Sequence, residues 1–344
     1  MISGCYTALI TPLDKGRVDE EGLDRLVEFQ MTNGVTGIVA MGTTGESPAF
    51  DWQEHNQVTE RIVRAMKGRG MCIAGSGSNS TVETLEATGH AAKAGARAML
   101  LVDPYYNGPS SLEIRKEYIE PVAERFPDTT IIPYLVPGRT GTQLLPEDLA
   151  LAAERFPNIG AVKDATGSFD NMKRIRHCCG EKMAILSGDD NLTCRMMSDP
   201  QIRACGVISV YANIFPRALS EMVAAMARGR GEVALGLEKQ LSPLLELVTV
   251  TTTETTPHGP VSCRARNPLP VKTLMAVLGM PSGSCRRPLG RMTAAGLEKL
   301  LAATRTMFSA SPELFAPMAD FFKVDVASRL NDTARIRQLV YESY

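Results

Sequence analysis

The stretch Ile159-Gly160-Ala161-Val162-Lys163-Asp164-Ala165-Thr166-Gly167 carries one lysine at the end of a short apolar run, which then breaks into turn residues. An apolar run of this length between turn residues is typical of a buried strand. Burial disfavours the charged form of a lysine, and the neutral amine is the form that attacks carbonyl carbons. Two interpretations follow for Lys163. It is either a Schiff-base nucleophile or a strand-end lysine that reaches into water, and the second is the commoner case because lysines are mostly exposed.

Short apolar or β-branched runs recur along the first 211 residues, and most are separated by segments with helical spacing. The eight runs are Tyr6–Ile10, Gly37–Met41, Met71–Ala74, Ala98–Val102, Thr130–Val136, Ile159–Lys163, Met183–Leu186 and Gly206–Val210. Strands that alternate with helices predict a parallel sheet of βαβ units. Eight such units fit a closed (β/α)8 TIM barrel, an α/β fold, better than an open sheet. The alternative, a doubly wound sheet, usually has a GxGxxG turn after its first strand, and Thr11-Pro12-Leu13-Asp14 is not one.

After Phe215-Pro216 the pattern changes to consecutive helices. We expect a catalytic barrel over residues 1–229 and a helical region over residues 230–344 that serves as scaffold and oligomer contact. The predicted helices are Ala218–Arg228, Glu232–Val248, Val271–Leu278, Thr293–Thr306 and Val324–Val340. Thr249–Cys263 is rich in threonine and proline, which predicts an inserted loop. From about residue 309 the chain forms a terminal extension, and its mixed acidic and apolar residues indicate packing rather than disorder.

Composition excludes several classes of function. The chain has 344 residues, 44% of them hydrophobic and 22% charged, with a net charge of −1, so we expect neither nucleic acid nor an anionic membrane as a partner. We see no signal peptide and no apolar run of about 18 residues, so we expect no membrane span. Eight cysteines without a CxxC pair and four histidines without ligand spacing predict no metal site. Reduced cysteines indicate the cytoplasm.

Polar residues follow the apolar runs, at the end of a βα barrel where side chains that perform chemistry project. The segments are Gly42–Ser47 (GTTGES), Asp103–Asn107 (DPYYN), Tyr134–Gly141 (YLVPGRTG), Lys163 itself and Ser187–Asp190. Hydroxyls and consecutive backbone N–H groups in the first segment can cradle a carboxylate. Each motif alone is weak. Together they place Lys, Tyr, Thr and Arg around one mouth, which favours the chemical interpretation of Lys163.

These motifs, in this order with Gly206–Asn213 (GVISVYAN) and Asn267–Lys272 (NPLPVK), resemble the dihydrodipicolinate synthase / N-acetylneuraminate lyase family over about residues 1–305. The arginine of PGRTG, Arg139, resembles the synthase branch, since sugar-acid lyases usually lack it. The resemblance implies a class I aldolase-type lyase that condenses pyruvate with L-aspartate 4-semialdehyde to 4-hydroxy-tetrahydrodipicolinate, the first committed step of the diaminopimelate route to lysine. It implies no cofactor, because the imine forms on Lys163.

The resemblance also implies a role for each matching residue. Lys163 forms the imine with pyruvate, and Tyr134 shuttles protons with the help of hydrogen bonds to Thr43 and Tyr106. In the family the second tyrosine typically crosses from a neighbouring subunit, so we expect a homodimer or homotetramer. Thr43 and Thr44 hold the pyruvate carboxylate. The backbone carbonyl of Ile208 lines the pocket, and Arg139 binds the carboxylate of the aldehyde substrate.

The family often has a feedback site for lysine at a subunit interface. The matching positions are Ser47, Pro48, Trp52, His55, Asn79, Glu83 and Tyr105, although plain interface packing would use the same residues. Leu135 stands where many members have asparagine, which leaves the second substrate open. Two other functions therefore remain: a pyruvate aldolase of the same family that acts on a sugar acid or hydroxy-oxoglutarate, and a non-catalytic barrel that senses a keto acid or an amino acid.

Overall fold

The computed structural model describes residues 2–344, in which eight parallel strands close into a barrel. The strands are β1 (Gly4–Ala8), β2 (Gly37–Ala40), β3 (Met71–Gly75), β4 (Ala98–Val102), β5 (Thr130–Leu135), β6 (Ala161–Asp164), β7 (Ala184–Ser187) and β8 (Gly206–Ser209). Each strand pairs with the next along the chain, and β8 closes the barrel on β1 with Gly4 opposite Gly206. The predicted (β/α)8 barrel is therefore confirmed, with strand ends displaced by at most a few residues.

Helices follow the strands and surround the barrel. They are α1 (Glu20–Thr32), α2 (Trp52–Met66), α3 (Thr81–Ala94), α4 (111–125), α5 (Pro146–Arg155), α6 (Phe169–Cys179), α7 (Thr193–Ser198) and α8 (Pro216–Ala227). Several begin at a side chain that accepts an otherwise unpaired backbone N–H, as Asp51 Oδ1 does from Glu54 N at 2.9 Å. Such caps fix where each connection from the barrel mouth ends and the helix begins.

Side chains alternate along each strand between the barrel interior and the surrounding helices. The interior set packs as one cluster that includes Tyr6, Val39, Ile73, Leu100, Ile132, Tyr134, Leu186 and Ile208. Their neighbours in sequence, such as Ile38, Ile131 and Val162, belong to a second cluster beneath the helices. Because Val162 faces the helices, the next residue, Lys163, faces the interior. The period of two thus aims the lysine into the barrel.

The C-terminal region adds six helices, α9 (Gly231–Leu245), α10 (Leu269–Leu278), α11 (Ala294–Ala310), α12 (Ala316–Phe322), α13 (Val326–Asn331) and α14 (Thr333–Arg337). The predicted helix Val324–Val340 is wrong, because Asp332 ends α13 and accepts the Arg335 N–H at 3.0 Å to cap α14. None of the helices within residues 2–344 is long and apolar enough to cross a membrane.

The prediction of a loop at Thr249–Cys263 is also wrong, because most of this segment forms strands. Strands β9 (Val250–Thr256) and β10 (Gly259–Ala265) pair antiparallel as a hairpin, with Val250 opposite Ala265. Threonine and valine are β-branched and suit a pleated, half-exposed ribbon, and this preference outweighs the proline content. The hairpin leads directly into Arg266 and Asn267.

The terminal extension packs against the barrel, as its apolar residues predicted. Phe315 is fully buried and makes edge-to-face contacts with Phe215 and Phe308, with ring centroids 5.0 and 5.2 Å apart. Phe322 packs similarly on Phe29 of α1 at 5.1 Å. Aromatic pairs of this geometry add stability beyond the area they bury. The extension is therefore part of the folded core.

Candidate active site

Lys163 lies beside Tyr134 inside the barrel. The two residues are paired in register on β6 and β5, so their side chains project to the same side. Each is 6% exposed, and Lys163 Nζ lies 4.1 Å from the centroid of the Tyr134 ring. A buried amine in contact with a phenol ring is thus held at one point of the interior by two neighbouring strands.

A cavity of about 320 Å³ opens over this pair at the C-terminal ends of β2 to β5. Its walls include Thr43, Tyr105, Tyr134 and Arg139, which come from three of the motifs that the sequence placed at the mouth. Ser47 and Pro48 complete one side. Lys163 contacts the wall residue Tyr134, whereas Thr44 and Ile208 are buried and are not wall residues. The barrel therefore brings Thr43, Tyr134 and Arg139 together around one opening, with Lys163 in contact with Tyr134.

The GTTGES turn is anchored from the far end of the chain. Thr44 is buried, and its Oγ1 accepts a hydrogen bond from Asn267 Nδ2 at 3.0 Å. Glu46 has a left-handed backbone (φ 65°), and its carboxylate accepts from Lys272 Nζ and from the Arg286 N–H, each at 2.7 Å. Sequence reasoning gave Asn267 and Lys272 no role. The sequence signal that could have revealed this pair is a lysine within the apolar run Leu269–Leu278. A lysine in such a run is costly to bury unless it is paired.

Three carboxylates lie at the ends of β6 and β7, next to Lys163. Asp164 accepts hydrogen bonds from Thr166 N, Thr166 Oγ1 and Asn171 Nδ2 at 2.7 to 2.9 Å, so it supports its own loop. Burial raises its pKa, and these bonds oppose the rise. Asp190, the last residue of the predicted Ser187–Asp190 segment, accepts the backbone N–H groups of Val210 and Tyr211. Burial raises the pKa of Asp189 to about 6, and the charge of Lys163 lowers it.

Two predicted contacts are not made within this chain. Among residues 2–344 no hydrogen bond joins the Tyr134 hydroxyl to Thr43 or to Tyr106. Tyr106 is 91% exposed and has φ 79°, a left-handed conformation that is uncommon for a bulky residue. Strain of this kind concentrates at functional sites. The Tyr106 side chain, which is almost fully exposed, therefore lies outside the barrel of its own chain.

Arg139 lies at the rim of the cavity. Its Nη2 donates to the backbone oxygen of Asn267 at 2.9 Å, and Arg266 Nη2 donates to the backbone oxygen of Gly138 at 3.0 Å. Desolvation lowers the pKa of Arg139, Tyr134 opposes this shift, and the charges of Arg266 and Arg264 add to it. Leu135, the departure noted from the sequence, is fully buried beneath the helices and is not a wall residue of the cavity.

Three positions of the expected lysine site, Ser47, Pro48 and Tyr105, are wall residues of the same cavity. The rings of Trp52 and His55, two further positions, are in contact with centroids 4.7 Å apart. Burial lowers the pKa of His55 to about 4, so its imidazole is neutral at pH 7. Glu83 and Asn79 each lie within hydrogen-bonding distance of the Ser78 hydroxyl.

Fold and site define a (β/α)8-barrel protein with a buried lysine and tyrosine in contact at the C-terminal mouth. A model of the dihydrodipicolinate synthetase family matches residues 1–306. The chain belongs to this family. The 4-hydroxy-tetrahydrodipicolinate synthase of Geotalea uraniireducens is 42% identical over 302 residues, which is 88% of this chain and 97% of the relative.

Solved structures agree with this assignment. The chain is similar to dihydrodipicolinate synthase from Acinetobacter baumannii complexed with pyruvate, at 36% identity and a TM-score of 0.80, over 89% of this chain and 99% of that one. It is also similar to the enzyme from Cyanidioschyzon merolae with lysine bound, at 32% identity and a TM-score of 0.80, over 89% of this chain and 98% of that one.

Proposed function

We propose that this chain is a lyase that condenses pyruvate with L-aspartate 4-semialdehyde to 4-hydroxy-tetrahydrodipicolinate. The observation that carries the proposal is the buried Lys163 amine, 4.1 Å from the Tyr134 ring and next to a cavity of small-molecule size. A biosynthetic reaction of two small metabolites favours the cytoplasm as its compartment. The covalent imine on Lys163 serves in place of a cofactor.

The first half of the reaction activates pyruvate. The Lys163 amine adds to the keto carbon, water leaves, and the resulting protonated imine is an electron sink. The pyruvate methyl group then loses a proton to give an enamine nucleophile. Tyr134, whose ring centroid lies 4.1 Å from the amine, serves as the acid and base. Thr43 and Thr44 hold the carboxylate at the GTTGES turn, and the backbone carbonyl of Ile208 lines the pocket.

The second half forms the carbon–carbon bond. The enamine carbon attacks the aldehyde of L-aspartate 4-semialdehyde, whose carboxylate binds Arg139 at the rim. The amino group of the new adduct then attacks the imine carbon, which closes the ring and frees the Lys163 amine. Only one of the five N–H donors of Arg139 is used by a protein acceptor within residues 2–344, so its guanidinium retains a free edge for a carboxylate.

Turnover distinguishes this proposal from the two alternatives. Purified protein is assayed with pyruvate and L-aspartate 4-semialdehyde, and in parallel with sugar acids, hydroxy-oxoglutarate and a panel of 2-keto acids. We expect turnover of the semialdehyde pair at a kcat/KM far above any other pair. Turnover of a sugar acid or hydroxy-oxoglutarate alone refutes the substrate assignment. Binding of pyruvate without turnover of any aldehyde identifies a sensor.

We further propose that the active form is a homodimer or a homotetramer in which Tyr106 enters the site of the neighbouring subunit. The exposure and the strained backbone of Tyr106 support this, because a side chain that is 91% exposed can reach a neighbouring subunit. Sedimentation velocity at micromolar concentration should give an oligomer, and a monomer with full activity contradicts the proposal.

Regulation by L-lysine is a further part of the proposed function. Glu83 and Asn79 offer acceptors for an ammonium group, Trp52 offers a face for the aliphatic stem, and Tyr105 joins this region to the catalytic cavity. Isothermal calorimetry should show heat of binding on addition of lysine. Glu83→Gln should weaken this binding. Absence of heat at millimolar lysine refutes the site.

A further inference from the structure

Two segments that are far apart in sequence brace each other at the rim of the cavity. Arg139 donates to the carbonyl of Asn267 at 2.9 Å, and Arg266 donates to the carbonyl of Gly138 at 3.0 Å. The two bonds are reciprocal, since residues 138–139 and 266–267 each give one donor and one acceptor. Two hydrogen bonds from charged donors, acting between the same two segments, hold the turn that carries Arg139 in one orientation.

The same segment also contacts the pyruvate side of the site. The side chain of Asn267 donates to Thr44 Oγ1 at 3.0 Å, so residues 266–267 lie between the GTTGES turn and the arginine turn. A shift of this segment therefore changes the distance between the two places where carboxylates are proposed to bind. The hairpin of β9 and β10 ends at Ala265, immediately before Arg266, and sets the position of that residue.

The rim carries an excess of positive charge. The positive charges of Arg264 and Arg266 act on Arg139 and help to lower its pKa, and no carboxylate within residues 2–344 forms an ion pair with any of the three. Unpaired guanidinium groups beside a cavity provide a binding site for an anionic group of a ligand.

We propose that Arg266 is a positioning and specificity residue for the second substrate, an aldehyde that carries a carboxylate. Its hydrogen bond to the Gly138 carbonyl holds Arg139 in place. It also adds a second positive charge near the place where the carboxylate of the aldehyde binds. Arg266 lies just before the NPLPVK segment, outside the motifs that define the resemblance, and the hairpin delivers it to the rim. The inference rests on the proposed function and identifies a residue on which the choice of the aldehyde depends.

Steady-state kinetics with one substrate varied at a time test the proposal. Arg266→Ala should raise KM for L-aspartate 4-semialdehyde by about tenfold, the scale of one lost charge-assisted hydrogen bond, and leave kcat and KM for pyruvate within about twofold. Arg266→Lys should recover part of the loss, because its ammonium can still donate to Gly138. A general weakening of the fold would instead change both substrates and would not be rescued by lysine.

Arg264→Ala is the matched control, because Arg264 is an exposed neighbour on the same ribbon without a hydrogen bond to the rim. Its effect should be smaller and should disappear at high salt, whereas the effect of Arg266→Ala should persist, since screening removes only the long-range charge. Equal effects of the two variants at high salt, or an unchanged KM in Arg266→Ala, overturn the inference while leaving the proposed function intact. A wild-type protein that does not turn over the semialdehyde refutes the proposed function and the inference with it.

Discussion

Replacement of Lys272 by methionine should destabilise the fold by about 3–5 kcal/mol, because it leaves the carboxylate of Glu46 buried without its partner. The two side chains are 1% and 0% exposed and lie 2.7 Å apart. Lys272 Nζ also donates to the carbonyls of Thr11 and Ser284, at 2.9 and 3.2 Å, which lose their donor in the variant. Methionine preserves most of the side-chain volume, so the loss reports charge and hydrogen bonding rather than a cavity.

Urea denaturation followed by circular dichroism, at fixed protein concentration, measures this loss in the free energy of unfolding. The matched control is Glu181→Gln, which removes the exposed ion pair with Arg203 and should change the stability very little. The double variant Glu46→Gln/Lys272→Met should be more stable than Lys272→Met alone, since it removes the unpaired charge. A loss below about 1 kcal/mol in the single variant, or no recovery in the double variant, refutes the reasoning.

Three other predictions concern single groups. Burial raises the pKa of Asp103 to about 8, so the folded chain keeps a proton that the unfolded chain releases near pH 4. The free energy of unfolding should therefore fall as the pH rises from about 4 to about 8. Asp103→Asn should remove this contribution to the pH dependence, as measured by denaturation at several pH values. Tyr134→Phe should lower kcat by about 10²- to 10⁴-fold with unchanged circular dichroism, and an unchanged kcat contradicts its role in proton transfer. Mixing inactive Tyr106→Phe and Lys163→Ala chains should restore activity, because one site of each mixed dimer is then complete; no recovery shows that Tyr106 does not cross between subunits.

The barrel could be predicted from the sequence because its signals are local. A strand needs only a short apolar run, and the alternation from Val162 to Lys163 decides which residue faces the interior. The order of the runs places Thr43, Tyr134, Arg139 and Lys163 at one mouth whatever the details of the helices. The structure confirms that Thr43, Tyr134 and Arg139 line one cavity and that Lys163 contacts Tyr134. The roles proposed for these residues rest on their chemistry rather than on the fold.

The features that the sequence did not reveal depend on distant partners. Glu46 and Lys272 are 226 residues apart, and the two rim contacts of Arg139 and Arg266 each span 128 residues. Contacts between such distant residues cannot be predicted from a local sequence pattern. The hairpin of β9 and β10 was missed because its threonines suit both a loop and an exposed strand, and pairing with a partner strand decides between them. Asp332 ends one helix and caps the next. Aspartate is favoured at the first position of a helix, and the apolar spacing of the segment does not show which aspartate takes that position.

The central claim is that the amine of Lys163 forms a covalent bond with pyruvate. It is tested by incubation with pyruvate, reduction with borohydride, and mass spectrometry of the intact chain and of its peptides, with Lys163→Ala treated in parallel. The account predicts an added mass of one reduced pyruvate per chain, located on Lys163 and absent from Lys163→Ala. An adduct on Lys163→Ala at the wild-type level, or a wild-type chain without any adduct, contradicts it.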